Sequence, residues 1–401
     1  MDNAFFGWAT EGLFGNAWWL VLGAFLVMAH LTLMSVTLYL HRCQAHRAVD
    51  LHPLVSHPMR FWLWFTTAMV TQDWVAIHRK HHARCETAED PHSPQVLGIN
   101  KVLFHGGTLY QSARKDRTIH AQFGHGTPTD WVERKIYARF PGLGPSLLLF
   151  LNIGVFGVIG ITVWALQMLV IPVLAAGVIN GLGHWWGYRN FETDDRATNI
   201  SPWGLIIAGE ELHNNHHAFP SSARFALRRF EFDIGWVALR MLSALGLAKI
   251  LRVAPKLDIR PNIQMPDTDT VRAVLAHRFQ VMTDYFRIVV APHLKADMAG
   301  AQANLKALPG RLRRALKDHG RWLKPEQQEK LDRWIAEHPQ LAAVYDYRRR
   351  LRAVFERTSQ GSEATLEALR QWCHEAEQSG NAALQQFAQR LKGYSLQPAR
   401  A

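Results

Sequence analysis

Two stretches of this 401-residue chain, residues 12–40 and 140–188, contain no Asp, Glu, Lys or Arg, and they constrain the fold more than any other feature. A membrane-crossing helix needs about 20 largely apolar residues. The first stretch accommodates one such helix, and the second accommodates two joined by a tight turn. The mean hydropathy of −0.11 is what results when such segments are averaged with a charged, aqueous remainder. The expected fold is therefore all-α: about three integral membrane helices, an interfacial helix and large aqueous parts. Length alone would have suggested two or three soluble domains.

The net charge of +12 could signal nucleic-acid binding. Basic residues flanking apolar spans have a more ordinary cause, because cytoplasmic flanks collect Lys and Arg and anionic headgroups favour a basic surface. A lipid bilayer is the expected partner and nucleic acid is not. Three cysteines, Cys43, Cys85 and Cys373, form no CxxC pair, so neither a disulfide framework nor a zinc ribbon is indicated. The N-terminus lacks the basic segment of a cleaved signal peptide.

Eight histidines gather near the apolar stretches: His41 and His46; His78, His81 and His82; His213, His216 and His217. Residues at i, i+3 and i+4 share a helix face, so each triplet could aim three imidazoles at one point. Two triplets and a pair exceed the needs of one tetrahedral metal, and two ions are the economical reading. Imidazole suits iron, copper, nickel and zinc alike, so spacing does not identify the metal.

A single site requires all clusters on one side of the membrane. His41 ends the first span and precedes Arg42 and Arg47, which places it on the cytoplasmic side and the N-terminus outside. The aromatic stretch Phe61–Ile77 cannot then cross, and it is expected at the interface. Spans over roughly Pro145–Thr162 and Leu166–Trp186 leave and return. The returning span brings His184 near its cytoplasmic end, with Asn180 one turn earlier on the same face. His30, about three turns before His41, is read as structural.

The series HRCQAH (41–46), HRKHH (78–82) and HNNHH (213–217) resembles the three histidine boxes of membrane fatty acid desaturases of the acyl-CoA Δ9, stearoyl-CoA desaturase-like type. ETAEDPH (86–92), NGLGHWWGYRN (180–190) and GEELHNNHHAFP (209–220) extend the likeness over roughly the first 250 residues. The resemblance is closest to bacterial forms with a C-terminal extension. It implies a non-haem di-iron centre held by His41, His46, His78, His81, His82, His184, His213, His216 and His217, with Asn180 reaching one iron through water. It implies dioxygen as co-substrate, a long-chain acyl-CoA or acyl-lipid substrate, and a cis double bond near carbon nine, serving unsaturated fatty acid synthesis and membrane lipid adjustment. An external donor, a ferredoxin or a flavin-dependent reductase, would supply electrons. The implied location is multi-pass in the inner membrane, with the site facing the cytoplasm. Ile77 stands where relatives often have an acidic residue, and Glu211 and Asn215 also depart from animal members.

Other residues have two readings each. Trp74 lines an acyl tunnel or packs at the interface. Asp90 backs a ligand imidazole or forms an ordinary Asp-Pro turn. Of Glu210 and Glu211, one is expected to hold an imidazole N–H and the other to be solvated. The rival functions are hydroxylation by the same di-iron chemistry and a histidine-rich metal transporter. Against the transporter stands the lack of Asp, Glu or His at mid-depth in the hairpin spans.

Domain boundaries are expected at 1–256 and 257–401. From about Leu257, charged helical patterns are broken at Pro309, Pro325, Pro339 and Gly380. No haem motif or cysteine cluster marks a fused electron carrier. The segment Leu331–Tyr394 faintly resembles a helical part of insertion-sequence transposases, without an acidic triad. A cytoplasmic helical bundle that docks an electron donor or the desaturase body is expected. Arg311, Arg313, Arg314 and the run Arg348–Arg350 are either partner-binding or solvated.

Overall fold

The computed structural model describes residues 2–15, 17–299, 312, 315, 316, 320, 323–356 and 361–397. Pro309, Arg311, Arg313 and Arg314 lie outside the described residues. Contacts separate two units, residues 1–189 with 193–254, and residues 190–192 with 255–401.

In the first unit, α1 (Asp2–Glu11) precedes α2 (Trp18–Ala45). At 1.5 Å per residue, the 28 residues of α2 rise about 42 Å, which exceeds a bilayer core. Its last part, Val36–Ala45, is wound in π-type turns, a winding common where a helix must re-aim functional side chains. His41 lies there, and His30 is exposed earlier on the same helix.

The aromatic stretch expected as one interfacial segment is two helices, α3 (Pro53–Thr67) and α4 (Thr71–Arg84). The break falls at Ala68, which adopts left-handed φ of 59°. The corner lets α4 pack back on the end of α2. There follow α5 (Ile99–Arg114) and α6 (Arg117–Phe123), the latter capped by Asp116, whose side chain accepts from Thr118 N.

The apolar hairpin is α7 (Leu143–Phe156) and α8 (Ile159–Leu182). Its turn comes earlier than the sequence suggested, because Gly157, at φ 64°, ends α7. A Cβ there would meet the Thr10 carbonyl carbon and oxygen at 2.7 Å. Among the described residues two helices, α2 and α8, are long and apolar enough to cross a membrane. The 14 residues of α7 rise only about 21 Å.

A polar knot ties the apolar helices. Thr32 Oγ1 on α2 accepts from Gln167 Nε2 on α8 at 2.8 Å and from Trp62 Nε1 on α3 at 3.0 Å. Such hydrogen bonds hold helices together where apolar burial gives no preference. Helices α5 and α8 meet through small residues: a Cβ on Gly106 would lie 2.7 Å from the Ala176 carbonyl oxygen, and one on Gly177 would lie 2.6 Å from that of Leu103. The unit closes with α9 (His213–Ala218) and α10 (Ile234–Ala244).

The fold is mostly helical, with short strand pairs that helical patterning did not foresee. Val49–Leu51 runs antiparallel to Ala248–Ile250, and Trp203–Gly204 runs parallel to Phe232–Asp233. They tie the segment after the first histidine cluster to the one after the third, and the segments on either side of the third cluster to each other.

The second unit is a helical bundle around Tyr285, Leu351, Trp372, Phe387 and Tyr394, all buried. Trp372 Nε1 donates to the Tyr347 carbonyl. A strand pair, Leu257–Ile259 with Tyr394–Leu396, joins its two ends. Arg348, expected as part of a partner-binding or solvated run, is instead buried and paired with Glu192 of the same unit, while Arg349 is exposed.

Candidate metal centre

The nine histidines singled out from the sequence converge in the first unit, but each triplet is divided. On α4, His78 and His82 are a full turn apart and nearly aligned, whereas His81 points about 100° away from His82. The structure uses this divergence to serve two adjacent pockets. The expectation that a triplet aims at one point is corrected accordingly.

One ligand nitrogen from each of His41, His46, His78, His82 and His216 lies within 4.8 Å of the others. Opposed Nε2 atoms are 3.0 Å apart for His41 and His216, 2.8 Å for His46 and His78, and 2.9 Å for His82 and His216. The second pocket places His184 Nε2 at 3.2 Å from His81 Nε2 and 3.0 Å from His213 Nε2. His217 completes it, and its buried Nε2 has no hydrogen-bond partner. Buried polar atoms are nearly always satisfied, and converging unpaired nitrogens are the arrangement a cation resolves. The donor set therefore fits two metal ions.

Burial, reinforced by neighbouring imidazoles, holds His46, His78, His82, His213 and His216 well below the ordinary histidine pKa. Neutral imidazole is the form that binds metal.

Carboxylates behind the imidazoles fix which nitrogen faces inward. His41 Nδ1 donates to Glu210 Oε1 at 2.7 Å, His81 Nδ1 to Asp90 Oδ1 at 3.0 Å, His184 Nδ1 to Glu86 Oε1 at 3.2 Å, and His217 Nδ1 to Asp195 Oδ2 at 2.8 Å. An Nδ1–H committed in this way leaves Nε2 as the ligand. Burial alone would raise the Asp90 and Asp195 carboxyls; the paired histidines outweigh it and hold both well below the carboxylate range.

The Asp-Pro turn and the imidazole partner prove to be the same residue, since Asp90 also accepts from the backbone N–H groups of Glu86 and His92. Of the two glutamates, Glu210 holds the imidazole. Glu211 is not solvated: it is 4% exposed and accepts from Ile207 N and Gly209 N, tightening the turn before α9. Sequence reading missed Glu86 and Asp195 as imidazole partners. Glu86 lay within a quoted motif, but Asp195 carried no spacing signal.

A cavity of about 160 Å³ reaches His41, His78 and His213. Trp74 and Ile77 of α4, Gly107 and Tyr110 of α5, and Met168 and Ile171 of α8 line it. Trp74 also stacks on His78, with ring centroids 4.7 Å apart and planes 12° apart. Asn180 faces this cavity beside His213.

Comparison with known proteins gives two regional matches. Residues 16–238 match a family model described as Fatty acid desaturase, and residues 272–397 match one described as Transposase. The chain is 30% identical over 249 residues to Delta-9 desaturase-like 5 protein of Arabidopsis thaliana, covering 58% of this chain and 77% of the relative. It is 28% identical to sn-1 stearoyl-lipid 9-desaturase of Anabaena variabilis (63% and 87% covered), and 31% identical to Icosanoyl-CoA 5-desaturase of Limnanthes douglasii (54% and 60% covered).

Proposed function

Because the chain belongs to the fatty acid desaturase family, we propose that it is an oxygen-dependent acyl desaturase whose nine histidines hold two iron ions. The coarser activity, an oxidoreductase of lipid metabolism acting on fatty acyl groups, comes with the family. The observation that carries the finer reading is the pair of imidazole pockets beside a largely apolar cavity whose wall includes His41, His78 and His213.

One ion would sit among His41, His46, His78, His82 and His216. The other would sit among His81, His184, His213 and His217, with Asn180 contributing through water. Iron, when bound, supplies with dioxygen the oxidising power to remove two hydrogens from adjacent methylenes. Reducing dioxygen to two waters takes four electrons, two from the acyl chain and two from a separate donor, a ferredoxin or a flavin-dependent reductase.

The protein's residues do the rest. Glu210, Asp90, Glu86 and Asp195 keep His41, His81, His184 and His217 in the metal-binding tautomer. Trp74 braces His78 and, with the apolar wall from α8, keeps water from the chain and fixes which methylenes meet the site. The proposed product is a cis-9 monoene from a long-chain acyl-CoA or acyl-lipid, a position supported by the names of the Delta-9 and stearoyl-lipid relatives.

The proposed setting is multi-pass in the inner membrane, with three spans, an outward N-terminus and the imidazoles on the cytoplasmic side, as Arg42 and Arg47 suggest. Residues 1–256 would form the desaturase domain. Residues 257–401 would form a cytoplasmic helical module that docks an electron donor or the desaturase body. Their likeness to a transposase segment supports a shared helical fold and not recombination.

The test is analysis of fatty acids, with double-bond positions derivatised, from desaturase-deficient cells expressing the protein or His217→Ala in air. New cis-9 monoenes with the first and none with the second support the proposal. Hydroxylated chains in place of alkenes would assign the related oxygenase reaction.

A further inference from the structure

The cavity beside the imidazoles is largely apolar, but it has an unpaired polar atom at its wall. Gln167 of α8 lines the cavity and is 1% exposed, and its Oε1 has no hydrogen-bond partner among the described residues. We infer that this oxygen is a polar subsite for the distal part of an acyl chain, accepting a hydrogen bond from a chain hydroxyl and disfavouring plain hydrocarbon. The inference names a substrate class for the acyl reading given above and rests on that reading.

Local structure fixes which end of the amide is left over. Thr32 Oγ1 donates to the Met28 carbonyl one turn back at 2.8 Å. With its one proton committed there, the hydroxyl can only accept from Gln167. Gln167 therefore presents Nε2, which donates to it at 2.8 Å, while Trp62 Nε1 donates to the same oxygen at 3.0 Å. Oε1 remains as an acceptor. Buried polar atoms are nearly always paired, and the apolar side chains that share the wall, among them Val36, Met69, Met168 and Ile171, offer no donor.

The position of the oxygen makes it a contact for the chain and not for the metal. Gln167 precedes Asn180, which lines the wall beside His213, by thirteen residues of α8, at most about 20 Å of helix rise. Gln111 on the same wall is exposed whereas Gln167 is buried, so the cavity opens beside Gln111 and Gln167 belongs to its closed side. A plain chain laid against Oε1 shuts it away from water without a partner, and a chain hydroxyl satisfies it. Leaving one buried acceptor unpaired corresponds to a preference of roughly 5- to 150-fold. A wholly apolar wall has no such power, because it cannot strongly discriminate between chains that differ by one hydroxyl. A chain too short to reach Gln167 is indifferent to it.

The test feeds desaturase-deficient cells expressing the full-length protein with saturated acids of graded length, each with a terminal methyl or a terminal hydroxyl group. Mass spectrometry reads the fraction of each incorporated chain converted to its monoene. Hydroxylated chains should be converted roughly 5- to 150-fold better than plain chains, and only at the lengths that bring the hydroxyl to Gln167. Gln167→Met should abolish the difference. Trp62→Phe, which loosens the same contact at Thr32 but keeps the amide, should retain it. Equal conversion of both series at every length in the unaltered protein would overturn the inference while leaving the desaturase reading intact, and it needs no variant to fold. A preference that survives Gln167→Met, or one that Trp62→Phe also removes, would overturn it too, the latter by assigning the effect to helix packing. No conversion of any chain would sink both this inference and the reading it rests on.

Discussion

Asp195 Oδ2 accepts from His217 Nδ1 at 2.8 Å, so an acid in an irregular loop sets the direction of an imidazole that begins 22 residues later in the chain. With the hydrogen on Nδ1, the unpartnered Nε2 is the ligand atom.

Replacing Asp195 with Ala should lower affinity for the metal near His217 about 10–100-fold, the usual effect of removing the carboxylate behind a ligand histidine. Titration of the metal-free protein with Co²⁺ measures this directly. An unchanged affinity would mean that Asp195 does not orient His217.

Glu210 and Glu211 are adjacent but should behave differently. Glu210→Ala should lower metal affinity through His41. Glu211→Ala removes the acceptor of two backbone N–H groups and should cost roughly 1–3 kcal/mol of stability, with a smaller effect on metal binding. Thermal unfolding and metal titration of both variants separate the two roles.

Gly107 and Gly106 offer a similar contrast on the cavity wall. A Cβ at Gly107 has its nearest neighbour at 3.5 Å, a Pro172 side-chain atom, whereas one at Gly106 meets a carbonyl oxygen at 2.7 Å. Gly107→Phe should fold and shift products toward shorter chains, read by chain-length analysis of the monoenes. Gly106→Val should reduce folded yield instead. A product profile unchanged in Gly107→Phe would remove this part of the cavity from the acyl path.

Arg42 and Asp233 form an ion pair of 2.9 Å with both side chains fully buried. The guanidinium also donates to the Ala223 carbonyl and lies 3.9 Å from the Phe225 ring centroid. Arg42→Met leaves the carboxylate without its counter-charge and should cost about 3–5 kcal/mol. Denaturation of the metal-free protein measures the loss, and a change under 1 kcal/mol would contradict it.

Burial pushes the Glu133 carboxyl up to about 7, although Arg60 lies 3.6 Å away and works in the opposite direction. The Thr71 backbone N–H also works against the rise, and burial outweighs both. With the folded value above the ordinary 4.5, folding favours the protonated form. Its stabilisation is full below about 4.5 and is lost as pH rises through about 7. Melting temperature should therefore fall from pH 5 to pH 8 more in the unaltered protein than in Glu133→Gln. Parallel profiles would contradict this.

The amino-acid order by itself determined where the uncharged apolar runs and the histidine motifs lie. An uncharged run is a property of composition along the chain. Imidazoles at i, i+3 and i+4 share a helix side by geometry alone, and their motifs point to the family. Only the tertiary structure decided how those imidazoles are shared. His78 and His82 join His41 and His216, while His81 turns to His184, because these partners come from other segments, two of them more than a hundred residues away, that pack at angles no local pattern encodes. The same holds for Asp195 behind His217 and for Glu211, buried on the backbone N–H groups of Ile207 and Gly209. Each depends on the path of another segment, and that path is fixed by glycine close approaches, buried ion pairs and turns such as Ala68 and Gly157.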